Sequence, residues 1–131
     1  MSCNVMPPED QALENRIWLE QFQLRTLRER IPVSGMIELT SRCNLRCVHC
    51  YLGDQDAQHA KRAGEMDTDT VKGLIDELVE AGCLYLTITG GDPMMRKDFG
   101  EIYVHAKQHG LLTTVFCDGV LVSEKIVDLF T

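Results

Sequence analysis

The chain has 131 residues, 44% hydrophobic and 25% charged, with 13 basic against 20 acidic side chains and a formal net charge of −7. That length suits one domain at most, and the mixture suits a soluble globular fold. The acidic balance excludes broad electrostatic binding to nucleic acid, which needs clustered Lys and Arg against phosphate, and no apolar run is long enough to span a membrane.

The first ten residues lack the basic and apolar regions of a signal peptide, so a cytoplasmic, reducing setting is expected. Pro7 and Pro8 precede a predicted helix over residues 9–30, with Glu9 and Asp10 at its positive N-terminal end. Leu13, Ile17, Leu24 and Leu27 mark an apolar stripe, widened by Trp18 and Phe22 and suited to packing on the domain that follows; Pro32 ends it. Residues 35–40 read as a short strand that runs straight into the loop Cys43-Asn-Leu-Arg-Cys47-Val-His-Cys50. Residues 52–66 are polar and read as a long loop. Asp67 or Thr68 can cap the next helix, whose Val71, Leu74, Ile75 and Leu78 follow the spacing of one buried face, and Gly82 is placed to stop it.

Leu84, Leu86 and Ile88 alternate with Tyr85, Thr87 and Thr89, so a second strand runs into Gly90-Gly91-Asp92-Pro93. Asp98 can cap a helix carrying Phe99, Ile102, Tyr103 and Ala106, closed by Gly110. A third strand covers residues 111–116, Asp118-Gly119 turns it, and Ser123 caps a last helix with Ile126, Val127, Leu129 and Phe130. Strands alternating with helices imply an α/β fold with a parallel sheet: three strand–helix units behind a helical extension over residues 1–34, with the core over 35–131. The cysteine loop, Gly90-Gly91-Asp92-Pro93 and Cys117-Asp118-Gly119 all fall at C-terminal strand ends, where parallel barrels gather their active sites.

Six cysteines in a chain without an export signal read as ligands or buried residues before disulfides. Cys43, Cys47 and Cys50 are the ligand candidates; Cys83, at a helix–strand junction, reads as a small buried hydrophobe, and Cys3 and Cys117 are isolated. Thiolates suit iron–sulfur clusters or zinc. A [4Fe–4S] cluster normally takes four Cys ligands, so a triplet leaves one iron open to an exchangeable ligand. Gly90 and Gly91 carry no Cβ and allow close backbone approach at a strand end.

With these two motifs the sequence, from about residue 35 onward, resembles the radical S-adenosylmethionine (radical SAM) enzymes. Their signature is Cys-x3-Cys-x2-Cys with an aromatic residue before the last Cys. Here His49 holds that slot and Tyr51 follows the run, while Gly90-Gly91-Asp92-Pro93 resembles the family's Gly-Gly-Glu-Pro, with Asp92 one methylene shorter. The resemblance implies the N-terminal part of a partial (β/α) barrel, a [4Fe–4S] cluster on Cys43, Cys47 and Cys50, and S-adenosylmethionine at the open iron. It implies contacts to that ligand from Gly90, Gly91 and Asp92, with His49 near the adenine. Reductive cleavage to methionine and a 5′-deoxyadenosyl radical would follow, with a flavodoxin- or ferredoxin-like electron donor and a peptide or small-molecule substrate as partners. The wording around the cysteines suits the subgroup that matures peptides or cofactors, often with a C-terminal SPASM or twitch extension.

Two other readings stay open. Cys43, Cys47, Cys50 and His49 could form a structural zinc site, although such sites commonly draw on two separated ligand pairs. The chain could also be a catalytically silent fragment. Family barrels have about six strand–helix units, and a chain ending in mid-helix is expected to be truncated, inactive alone, and prone to associate through the strand edge at residues 111–116.

Overall fold

The computed structural model describes residues 8–53 and 64–130. Cys3, His59 and most of the expected polar loop lie outside the described residues. The chain divides between Pro32 and Val33 into two compact units.

The first unit is helix α1, Pro8–Glu29. Trp18 and Phe22, one turn apart, stack with ring centroids separated by 5.3 Å. Leu13, Ile17, Trp18, Leu24 and Leu27 are exposed. The helix ends at Glu29, three residues before Pro32. Arg30 takes a left-handed conformation, φ 56°, and the Ile31 N–H reaches back to the Thr26 carbonyl at 2.9 Å. That closure satisfies one of the carbonyls a helix end leaves open; glycine is its usual residue, and here arginine adopts it.

The second unit contains β1 (Ser34–Glu38), α2 (Thr68–Glu80), β2 (Tyr85–Thr89), a 3-10 turn (Pro93–Met95), α3 (Phe99–Gln108), β3 (Leu112–Val115) and α4 (Glu124–Phe130). The strands form one parallel sheet in the order β1-β2-β3, with Ser34 opposite Tyr85 and Tyr85 opposite Leu112. Parallel neighbours cannot be joined by a tight turn, and α2 and α3 lie in the crossovers. The ladder outruns the formal strands: the Leu39 N–H donates to the Thr89 carbonyl and the Phe116 N–H to that of Ile88, both at 2.9 Å.

The two-residue period of the strands decides what each face does. Ile37, Leu86 and Ile88 are buried under the helices, whereas Met36, Tyr85 and Leu112, on the opposite face, are each more than half exposed. Val71 and Ile75 of α2 and Ile102 and Ala106 of α3 have no accessible surface in this core. Full burial of each large aliphatic side chain contributes about 1.5–3 kcal/mol, which is what seats both helices on one side of the sheet. The ring of Phe130 in α4 meets Tyr103 edge-on, with centroids 4.9 Å apart.

Cap chemistry sets two of the helix ends. The Asp67 side chain accepts the Thr70 N–H at 2.7 Å and starts α2. Gly82, φ 93°, stops it: the Gly82 N–H bonds the Val79 carbonyl and the Cys83 N–H that of Leu78, both at 2.9 Å. Cys83 is buried, its thiol 3.3 Å from the Tyr85 carbonyl. Asp98 departs from expectation. It sits at the start of α3 but makes no side-chain capping bond. Arg96 bonds both of its carboxylate oxygens, at 3.0 and 2.5 Å, and the Thr68 hydroxyl adds a bond at 2.7 Å. A charge-assisted pair outcompetes a backbone N–H for the same oxygens.

Candidate functional site

The C-terminal ends of the three strands converge. The loop after β1 carries Cys43 and Cys50, half-buried, with Cys47 and His49 exposed. All three thiols are free. The loop turns through a Cys50 N–H to Cys47 carbonyl bond of 3.2 Å, and the Leu45 N–H points at the Cys43 sulfur from 3.4 Å.

The glycine pair after β2 holds this loop to the sheet. The Gly91 N–H donates to the Thr40 carbonyl and the Asp92 N–H to the Arg42 carbonyl, both at 2.8 Å. A Cβ on Gly90 would lie 2.2 Å from the Thr40 oxygen, and one on Gly91 2.3 Å from the Arg42 oxygen. Gly90 also has φ 150°, a conformation that side chains other than hydrogen rarely tolerate. The glycines approach the chain's own backbone closely at Thr40, Ser41 and Arg42, the three residues before Cys43.

Arg42 is the second anchor. Its guanidinium grips Glu65 through both carboxylate oxygens, at 2.8 and 3.1 Å, and donates to the Met95 carbonyl at 3.2 Å. Thr40 donates its hydroxyl to the same Glu65 and accepts the Arg42 N–H at 3.0 Å. The bonds from Arg42 pull the Glu65 carboxyl below its ordinary range against a burial that opposes it. Arg42 is thereby committed to Glu65 and to the Met95 carbonyl. Beneath it Arg96, almost fully buried, donates to the Leu39 and Met66 carbonyls at 3.1 and 2.8 Å.

Asp92 is turned into the protein. Its side chain has no accessible surface, and its oxygens accept the N–H of Met94 at 2.8 Å and of Asp118 at 3.1 Å. Burial pushes its carboxyl above the ordinary range, against those two N–H groups, and neighbouring Asp118 adds to the rise. Asp92 thus ties the end of β2 to the turn after β3. In that turn Asp118 accepts the Val120 N–H at 2.8 Å, Gly119 has φ 82°, and the other Asp118 oxygen lies 4.0 Å from the Cys43 sulfur. Tyr51 closes the arrangement, donating its hydroxyl to the Gly90 carbonyl at 3.2 Å.

Between these strand ends lies a cavity of about 430 Å³, walled by Tyr51, Thr89, Gly90, Gly91, Phe116 and Asp118 among others. Of the residues singled out from sequence, Gly90 and Gly91 line it, the cysteines sit on the adjoining loop, and Asp92 lies behind the wall. Tyr51 and Asp118 were legible only as neighbours of motifs, and Glu65 gave no signal at all. The thiol triplet thus stands on an accessible loop beside a glycine-walled cavity.

A family model described as the radical SAM superfamily matches residues 37–131. Fe-coproporphyrin III synthase of Methanosarcina barkeri is 31% identical over 126 residues, covering 95% of this chain and 31% of that protein. PqqA peptide cyclase of Xanthomonas oryzae is 38% identical over 97 residues, 74% of this chain and 25% of that one. Among solved structures, Streptococcus suis SuiB bound to its precursor peptide SuiA superposes with a TM-score of 0.67 at 16% identity, covering 98% of this chain and 29% of SuiB. The chain spans between a quarter and a third of the length of the curated relatives it matches.

Proposed function

Since the chain belongs to the radical SAM superfamily, whose cofactors are a [4Fe–4S] cluster and S-adenosylmethionine, we propose that it forms the cofactor-binding part of an enzyme that modifies a peptide or a cofactor precursor. The observation that carries this reading is the joining of the cysteine loop to the glycine pair, through the bonds at Thr40 and Arg42, at the mouth of the 430 Å³ cavity. Cys43, Cys47 and Cys50 would hold three irons, and the cavity would take S-adenosylmethionine. Together the two cofactors would supply one-electron reductive cleavage of a carbon–sulfur bond, the electron coming from the external donor, to methionine and a 5′-deoxyadenosyl radical.

The chain's own residues supply position and seclusion. The Gly90-Gly91 backbone and the Arg42–Glu65 fork fix where the thiols stand. His49 and Tyr51 offer rings to the adenine, and Asp92 acts through Asp118, which it holds against the Cys43 side of the cavity. The peptide or cofactor-precursor class rests on the kinds of relative matched, with a flavodoxin- or ferredoxin-like protein as electron donor.

Anaerobic reconstitution followed by iron and sulfide analysis tests it. The chain should turn brown and load one cluster, Cys47→Ala should load none, and S-adenosylmethionine should change the electron paramagnetic resonance of the reduced cluster. A colourless protein that retains zinc, or full loading of Cys47→Ala, refutes the reading.

A further inference from the structure

Away from the cysteine loop, α2 and α3 are joined side by side by three polar links. Thr68 bonds Asp98 at 2.7 Å, Lys72 bonds Glu101 at 2.5 Å, and Asp76 meets His105 Nε2 at 2.7 Å. The third link has an extra member. His109, one turn beyond His105, brings its own Nε2 to within 3.5 Å of the same Asp76 oxygen, with the two imidazole centroids 4.3 Å apart.

The other nitrogen of His109 decides what that Nε2 can do. Nδ1 lies 2.9 Å from the His105 carbonyl. A carbonyl only accepts, so Nδ1 carries the proton, and in the neutral ring Nε2 carries a lone pair. Bonding of the remote ring nitrogen to a backbone carbonyl is how metal-ligating imidazoles are oriented. All three donor atoms lie within 4.8 Å of one another. A tetrahedral zinc ion, with bonds of about 2.1 Å, spaces its donors about 3.4 Å apart, so small side-chain rotations close the set once the ion displaces to solvent the proton that His105 Nε2 donates to Asp76.

We propose that Asp76, His105 and His109 form a binding site for a zinc-class divalent cation, with the fourth position open to water. The site stands at the C-terminal end of α3, where the backbone carbonyls favour positive charge. In a parallel strand–helix sheet that end lies opposite the cysteine loop. The ion would therefore brace α2 against α3 and take no part in chemistry at the cavity.

Cobalt titration of the full chain carrying Cys43→Ala, Cys47→Ala, Cys50→Ala and Cys117→Ser, which removes the thiols of the loop and of the strand end beside it, tests it. One Co²⁺ should bind per chain, with visible d–d bands, no sulfur-to-cobalt charge-transfer absorption, and displacement by Zn²⁺. His109→Ala should weaken binding about tenfold or more. The His109 side chain is 39% exposed, so its removal should leave the circular dichroism of the metal-free chain unchanged. The imidazole proton resonances of His105 and His109 should both shift in step with Zn²⁺ occupancy. Absence of Co²⁺ binding, equal affinity in His109→Ala, thiolate charge transfer, or unmoved imidazole resonances would each overturn the proposal and leave Asp76–His105 as a plain link between helices.

Discussion

Replacing Gly91 by Ala tests the joint on which the site depends. The new Cβ would stand 2.3 Å from the Arg42 carbonyl oxygen, 2.6 Å from its carbon and 2.7 Å from the Ser41 oxygen, inside the 3.0 Å that real Cβ atoms essentially never cross. All three are backbone atoms, so no side-chain rotation relieves the clash; the loop root must move. Movement stretches the Gly91–Thr40 and Asp92–Arg42 bonds, both 2.8 Å. Overpacking costs about 1–3 kcal/mol, and each lost buried hydrogen bond about 1 kcal/mol more. The expected loss is about 3–5 kcal/mol, a large part of the roughly 5–15 kcal/mol that holds a domain folded. Gly73→Ala is the control, because a Cβ there meets nothing within 4 Å, and in the middle of α2 it should stabilise by up to about 1 kcal/mol. Urea unfolding of the metal-free chain measures both as midpoint shifts at unchanged m, and iron loading after reconstitution should fall for Gly91→Ala alone. A Gly91→Ala midpoint equivalent to less than about 0.5 kcal/mol from the parent, with full loading, would refute the clamp.

Arg42→Lys keeps the charge but loses the fork on Glu65, so chelators should strip iron from the loaded protein several-fold faster, measured as loss of cluster absorbance. Asp92→Ala removes the acceptor of the Met94 and Asp118 N–H groups, at about 1 kcal/mol for each lost bond, so it should lower the unfolding midpoint as well as ligand affinity. Arg96 holds the Asp98 carboxyl well below the ordinary range. A depressed acid contributes stability above its unfolded pKa of about 3.9 and loses it as pH falls through the folded value. Stability should therefore decline below about pH 4, and Asp98→Asn should flatten that acid limb while costing about 3 kcal/mol at neutral pH, because Arg96 is left buried without its counter-charge.

Spacing along the chain was enough to find the cysteine triplet, the glycine pair and the helix stop at Gly82, because each is a local requirement that neighbouring residues satisfy by themselves. Periods of two and of three to four were enough to place Leu86, Ile88, Val71 and Ile75 on faces that meet, since burial of apolar surface rewards a face and not one particular partner. Polar partnerships were not legible in this way. Asp98 had the position of a cap and went to Arg96; Asp92, beside the glycine pair, accepts the N–H of Asp118 from the turn after β3; Arg42, beside the cysteines, went to Glu65. Hydrogen bonds and ion pairs are short-ranged and directional, and each charged side chain has several candidate partners of similar chemistry along the chain. Which one it meets depends on distances of a few ångströms between segments far apart in sequence. Those distances exist only once the parallel sheet has brought its three strand ends together and laid α2 beside α3.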